Sequence, residues 1–184
     1  VQVILESNTL ITKSSQYDII SKWIGTGLLT STTEKWFGRR KMITPTFHFN
    51  ILKGYVDVFV KQGQIFVDQL EKHADTGREM DVFPFIKRCA LDIICETAMG
   101  TSMDTQTGGN AEYVDAVKRL SEIVWNFQRF PWLWLKPIWY GCGMGFEFDR
   151  LVKMTNDFTR KVIAERRRQL EEDGLLEDDA PSTD

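Results

Sequence analysis

Apolar residues recur at three- and four-residue spacing in five separate stretches, and this rhythm commits the chain to a mainly α fold. The first stretch runs from Thr32 to Ile43. Ser31 and Glu34 are spaced as its capping box, and Pro45 pushes Thr44 toward extended backbone and ends it. The second, Ile51 to Lys72, sets Leu52, Tyr55, Phe59, Phe66 and Leu70 at helical spacing, weakened locally by Gly54 and Gly63. The third, Asp81 to Met99, has Asp81 as N-cap, Pro84 in its first turn and Gly100 as its stop. Its apolar residues Ile86, Cys89, Ala90, Ile93, Ile94 and Ala98 cover more than one face, which predicts a helix central to the core. After a loop from Thr101 to Asn110, a fourth helix from Ala111 to Gln128 carries one stripe: Val114, Val117, Leu120, Val124 and Phe127. The fifth, Phe148 to Leu170, presents Leu151, Val152, Thr155, Phe158 and Val162 before a polar end. Only Val1 to Leu5 reads as a strand, and it is too short to carry a sheet.

Composition narrows the class further. A chain of 184 residues with 42% hydrophobic and 27% charged residues is one globular domain's worth, not a disordered or fibrous one. The net charge of -3 is unevenly spread, because seven acids and no Lys or Arg follow Leu170. Without them, 23 basic residues face 19 acidic ones, a balance too mildly basic to argue for nucleic acid. Cys89, Cys95 and Cys142 form no CxxC and have no nearby His pair, so reduced thiols acting as small hydrophobes fit best. No run reaches the about 18 apolar residues that span a bilayer. The chain opens on Val1 and closes on a polar, acidic run, and both ends read as cuts through a longer protein.

Most catalytic signatures fail on inspection. Gly25-Thr-Gly27 starts like a dinucleotide loop, but Thr30 stands where the third glycine belongs. There is no GxxxxGK[ST], HExxH or GxSxG, and His48 and His73 have no nucleophile or ligand partner at a known spacing. One pair remains. Trp36 and Arg40, four apart, point from one helix face, and both are donors only: an indole N–H and a fixed guanidinium fork. Such a pair suits a carboxylate or phosphate, with Arg39 and Lys41 adding positive field. The plainer alternative is a core aromatic beside a surface charge. The second feature is the run from Phe130 to Gly145, where Trp132, Trp134, Trp139 and Tyr140 sit among two prolines and Lys136. That composition suits a membrane–water interface, or else a loop packed on the protein's own core. Arg166, Arg167 and Arg168 read as a solvated helix end that complements the dipole.

Two blocks make the sequence familiar. One is Trp23-Ile-Gly-Thr-Gly-Leu-Leu-Thr-Ser31 followed by Lys35-Trp-Phe-Gly-Arg-Arg-Lys-Met-Ile-Thr-Pro-Thr-Phe-His-Phe49; the other is Cys89-Ala-Leu-Asp-Ile-Ile-Cys-Glu-Thr-Ala-Met-Gly100. The chain closely resembles the cytochrome P-450 superfamily, and within it the fourth family, with its many insect members. The resemblance implies a partial cytochrome P-450 fold, about the B to the G helix, lacking the haem-thiolate half. It divides the chain into strand, B helix and B–C loop (1–31), helices C to F (32–129), an F–G loop (130–147), a G helix (148–172) and an acidic linker (173–184).

Further expectations follow from the same resemblance. The parent would be a haem monooxygenase using haem b, with electrons from NADPH through NADPH–cytochrome P-450 reductase and a possible second donor in cytochrome b5. It would sit on the cytosolic face of the endoplasmic reticulum membrane and act on a small apolar substrate such as a fatty acid, hormone, terpenoid or xenobiotic. Trp36 and Arg40 match the family's W-x-x-x-R, which holds a haem propionate. Leu28, Leu29, Val124, Phe127 and Phe148 are expected in the substrate-pocket wall, and Trp132, Trp134, Trp139 and Tyr140 at the membrane. No residue here matches the axial cysteine in F-x-x-G-x-R-x-C-x-G. Around Cys142, Leu135, Ile138, Tyr140 and Met144 stand at its fixed positions. The family's oxygen-activating motif is absent as well. The chain alone is therefore expected to be inactive, and the rival expectation is a non-enzymatic helical module that binds lipid or membrane.

Overall fold

The structure, a computed structural model, describes residues 12–74 and 77–174. The expected strand at Val1 to Leu5 and the acidic residues from Glu177 onward lie outside them. Among the described residues the chain is mostly helical and has no strand: α1 (Asp18–Ile24), α2 (Thr33–Ile43), α3 (Phe49–Lys53), α4 (Val56–Glu71), α5 (Phe83–Ile94), α6 (Ala111–Arg129), α7 (Lys136–Gly141) and α8 (Met144–Glu172). Contacts divide the chain into two units. One holds the described residues up to Tyr55 with Asp115–Asn156; the other holds Val56–Val114 and the described residues from Asp157 onward.

The first unit is built on an apolar core of Ile19, Ala116, Leu120, Ile123, Val124, Leu133, Trp139, Phe148 and Leu151. The stripes expected on the fourth and fifth helices supply Leu120, Val124 and Leu151, and the same two helices add Ala116, Ile123 and Phe148. α1 lies in the range 1–31 where the resemblance implies a B helix, whereas α7 was not foreseen. Ile19, Ile20 and Trp23 on α1 do carry helical spacing, whereas α7 is masked in sequence by two prolines and three glycines. Trp139 packs edge-on against Phe127 and Phe148, at centroid distances of 5.1 and 5.9 Å. Gly145, in the first turn of α8, permits this: a Cβ there would lie 2.6 Å from Trp139 Cδ1. Arg119 of α6 grips Glu147 of α8 with two bonds, Nε to Oε1 at 2.8 Å and Nη2 to Oε2 at 2.9 Å.

The second unit is held by buried polar groups. Asp92 is 2% exposed, and its carboxylate accepts from Thr105 N–H (2.9 Å), Thr105 Oγ1 (2.8 Å) and Gln106 N–H (3.1 Å). Gln106 Nε2 donates to Gln62 Oε1 at 2.9 Å, and Gln62 Nε2 to Glu96 Oε2 at 2.7 Å. This chain of bonds ties α4 to α5 and to the turn at Thr105–Thr107. The expected second helix is two, α3 and α4, broken at Gly54 and Tyr55. The expected third ends its regular part at Ile94 and continues as a π-turn, Cys95–Met99, which Gly100 closes at φ 64°. Its N-cap is Val82, and Asp81 caps from one residue earlier by accepting Phe83 N–H at 3.0 Å. The expectation that this helix is central to the core is corrected. Ile86 and Ile94 are 47% and 54% exposed, because only the side carrying Cys89, Asp92 and Cys95 is covered within the described residues.

Substituting Gly145→Ala in the intact protein is expected to lower stability by about 1–3 kcal/mol, since backbone or the Trp139 ring must shift to admit the methyl. Gly141→Ala, whose Cβ would meet nothing within 4 Å, is the neutral control. Thermal melts of the two variants check this.

Candidate functional site

α2 buries none of its residues, so its side chains are not spent on a core. The capping box expected at its start is not formed. The Ser31 N–H is already bonded to Gly27 O at 2.9 Å, and its hydroxyl is buried without a partner. Thr32 takes the N-cap position with no side-chain bond, and Thr33 enters the helix at φ 49°. A β-branched residue held there stores strain of order 1–3 kcal/mol. One turn on, Trp36 is half-buried and Arg40 exposed. The Arg40 guanidinium lies over the Trp36 ring, 5.1 Å from its centroid, and Phe37 meets the same ring edge-on. Among the described residues neither the indole N–H nor the guanidinium has a hydrogen-bond acceptor or an acidic partner. The two side chains thus lie on one face of α2, and their donors are unspent.

Of the expected pocket residues, Val124, Phe127 and Phe148 gather in the core, while Leu28 and Leu29 do not join it. Leu28 and Leu29 stand in the turn before α2, 37% and 54% exposed. Val124 and Phe148 are packed inside the core, 8% and 2% exposed, with Phe127 against them. α6 and the start of α8 bring Val124 and Phe148 into one core cluster. Phe127 lines a cleft of about 270 Å³ with Ser15, Gln16, Asp18, Ile19, Lys22, Gln128 and Trp134. Gln128 Nε2 donates to Gln16 O at 3.2 Å beside it.

The aromatic segment also divides. Trp132 and Trp134 are 57% and 54% exposed, Leu135 and Phe146 are 59% and 66%, and Tyr140 is outward with its hydroxyl 3.1 Å from Asp149 Oδ2. Trp139, 7% exposed, belongs to the core of the first unit and does not share the outward face of Trp132 and Trp134. The period of a short helix, unseen in the sequence reading, turns it inward. Trp134 keeps its polar edge satisfied, donating Nε1–H to Phe127 O at 2.8 Å.

Cys95 is buried and Cys89 half-buried, as small hydrophobes are, whereas Cys142 is exposed, against the expectation. Burial, aided by the nearby Asp92 charge, pushes the Cys95 thiol up to about 11, and burial also raises Cys89. A metal-binding thiolate needs the opposite shift. Among the described residues no group of three His, Cys, Asp or Glu could hold a metal ion.

A family model described as Cytochrome P450 matches residues 6–182, nearly the whole chain. The chain belongs to the cytochrome P450 family. Cytochrome P450 4V2 of Pongo abelii is 45% identical over 187 residues, covering 99% of this chain and 35% of that protein. Cytochrome P450 4V2 of Homo sapiens is 46% identical over 92% of this chain and 32% of its own length. Cytochrome P450 4d2 of Drosophila melanogaster is 41% identical, covering 92% and 34%. The chain thus spans about a third of the length of the curated relatives it matches. Cytochrome P450 chains imply haem, and the Trp36–Arg40 donor set fits one of its features, an anionic carboxylate, by the chemistry of two unspent N–H donors.

Arg119 also gives this region a pH signature. Its hydrogen bonds hold the Glu147 carboxyl below the usual carboxylate range. A depressed folded value stabilises above the unfolded one, about 4.3, and that contribution is lost as pH falls through the folded value. With both side chains partly in water the pair contributes at most about 1 kcal/mol. Arg119→Met should cost that amount in urea unfolding at neutral pH and nothing once Glu147 is protonated.

Proposed function

We propose that the intact protein to which this chain belongs is a haem-dependent monooxygenase that inserts one oxygen atom of O₂ into an apolar substrate. Membership of the cytochrome P450 family carries the reading, supported by the unspent Trp36–Arg40 donors on a helix that buries nothing. In this reading α2 is the C helix, α6 the F helix, residues 130–147 the F–G segment and α8 the G helix. Trp36 and Arg40 hold a haem propionate, and the haem supplies the oxygen-activating chemistry. Arg40 contributes charge and two parallel donors; Trp36 adds a third donor and a ring against which the guanidinium rests. Electrons come from NADPH through a flavoprotein reductase, for which the exposed basic residue Lys41 and the half-buried Arg39 of α2 offer positive charge. The substrate enters beside the cleft lined by Phe127 and Trp134, and a fatty acid, hormone, terpenoid or xenobiotic meets its apolar walls equally well.

In the same reading the protein sits on the endoplasmic reticulum membrane, and the outward aromatic face supports this. From Arg129 to Phe146 there is no carboxylate and there are two cations, Arg129 and Lys136. Among the described residues no helix is long and apolar enough to cross a membrane, so this contact is interfacial. Trp132, Trp134, Leu135 and Phe146 enter the headgroup region, while Trp139 anchors them from below.

Arg40→Ala in the intact protein is expected to speed haem loss roughly tenfold to a hundredfold, as for removal of a charge-assisted hydrogen bond. Unchanged haem retention would remove Arg40 from the propionate clamp. Trp132→Ser with Trp134→Ser should weaken binding to anionic liposomes at least about tenfold while leaving the melt unchanged. Undiminished liposome binding would remove the membrane from the proposal.

A further inference from the structure

The cleft of about 270 Å³ in the first unit carries a charge pattern that substrate entry does not explain. Ile19, Phe127 and Trp134 give it apolar walls, while Asp18 and Lys22 bring one charge of each sign. The ring of Trp134 is fixed in its place. Pro131 has no N–H to offer the Phe127 carbonyl, and the Phe130 N–H is spent on Asn126 O at 2.9 Å. Trp134 Nε1–H makes that bond instead, at 2.8 Å. Across the cleft, Gln128 Nε2 donates to Gln16 O at 3.2 Å and ties the end of α6 to the turn before α1.

Asp18 and Lys22 stand one turn apart on α1, in the order that favours an ion pair, acid first. At the same spacing and in the reverse order, Arg167 and Glu171 of α8 do pair, at 3.0 Å. Among the described residues, Asp18 and Lys22 pair neither with each other nor with any other charged side chain. Two unspent charges of opposite sign beside an indole complement a ligand that is itself a zwitterion, its anion toward the lysine and its cation toward the acid and the ring. Trp134 also shows where such a ligand comes from. At 54% exposed it belongs both to the cleft and to the outward aromatic face, so the cleft opens on the side that meets lipid headgroups. We propose that the cleft seats the headgroup of phosphatidylcholine, with the phosphate beside Lys22 and the quaternary ammonium beside Asp18 and Trp134. This rests on the reading of the aromatic face as membrane-bound. A quaternary ammonium suits an aromatic wall better than a primary one, which holds its own water and hydrogen bonds.

The test titrates the intact protein calorimetrically with short-chain dihexanoyl lipids, each below its micelle concentration. The wild type should bind the phosphatidylcholine about tenfold more tightly than the phosphatidylethanolamine. Asp18→Asn should weaken phosphatidylcholine binding several-fold and leave phosphatidylglycerol binding equal or tighter, because a charge that repels an anion is gone. Lys22→Gln should weaken both. Both residues are exposed, so neither change threatens the fold, and melts of the two variants check this. Glycerophosphocholine, the same headgroup without acyl chains, should bind several-fold more weakly than the lipid. Equal binding of the choline and ethanolamine lipids overturns the proposal. So does an Asp18→Asn variant that binds phosphatidylcholine as the wild type does, or one that loses the glycerol lipid equally. Glycerophosphocholine binding as tightly as the lipid makes the ligand a soluble zwitterion and overturns the lipid. If Trp132→Ser with Trp134→Ser leaves liposome binding undiminished, the membrane reading falls and the headgroup site with it. If that double change weakens liposome binding while Asp18→Asn has no effect on phosphatidylcholine, only the headgroup site is refuted.

Discussion

The ring of Trp139 occupies the space that a side chain at position 145 would need, and the first unit is arranged around that exchange of volume. Because glycine stands there, α8 can start within van der Waals reach of α7. Phe127 from α6 and Phe148 from α8 then meet the indole from two sides. Arg119 adds a polar grip between the same two helices through Glu147. With one aromatic residue seated so firmly, its neighbours Trp132, Trp134 and Tyr140 can remain outside without the segment losing its place.

The second unit solves the same problem with polar groups. Asp92 and Gln62 stand where a helix would ordinarily present an apolar residue, and each is 2% exposed. Their bonds run through Gln106 and Thr105, so a turn with no apolar stripe is fixed by hydrogen-bond geometry instead. A fully satisfied network of this kind demands one register between α4 and α5, which apolar packing alone would not.

Periodicity made the long helices legible, since α6 and α8 each bury a stripe that repeats many times. It could not show α7, where six residues give under two turns and one proline and one glycine stand among them. The inward face of Trp139 was lost with it. The buried polar network did leave a trace. In the stripe Tyr55, Phe59, Phe66 and Leu70 the missing beat is Gln62, and Asp92 lies midway between Cys89 and Cys95. The Trp36–Arg40 pair was readable from spacing and donor chemistry. The failed capping box was not, because the bond from Ser31 N–H to Gly27 O depends on how the preceding loop folds.

The three thiols differ in a way that has practical weight. Cys95 is enclosed and its thiol is held protonated at neutral pH, and Cys89 is partly covered, bonded to Gln62 O at 3.7 Å. Cys142 is exposed at the end of the aromatic segment. An alkylating fluorophore or spin label would therefore react there by preference, since accessibility and thiolate fraction govern the rate. The fold thus supplies a native attachment point a few residues from Trp139 and Tyr140, from which the polarity around the outward aromatic face can be followed as lipid is added.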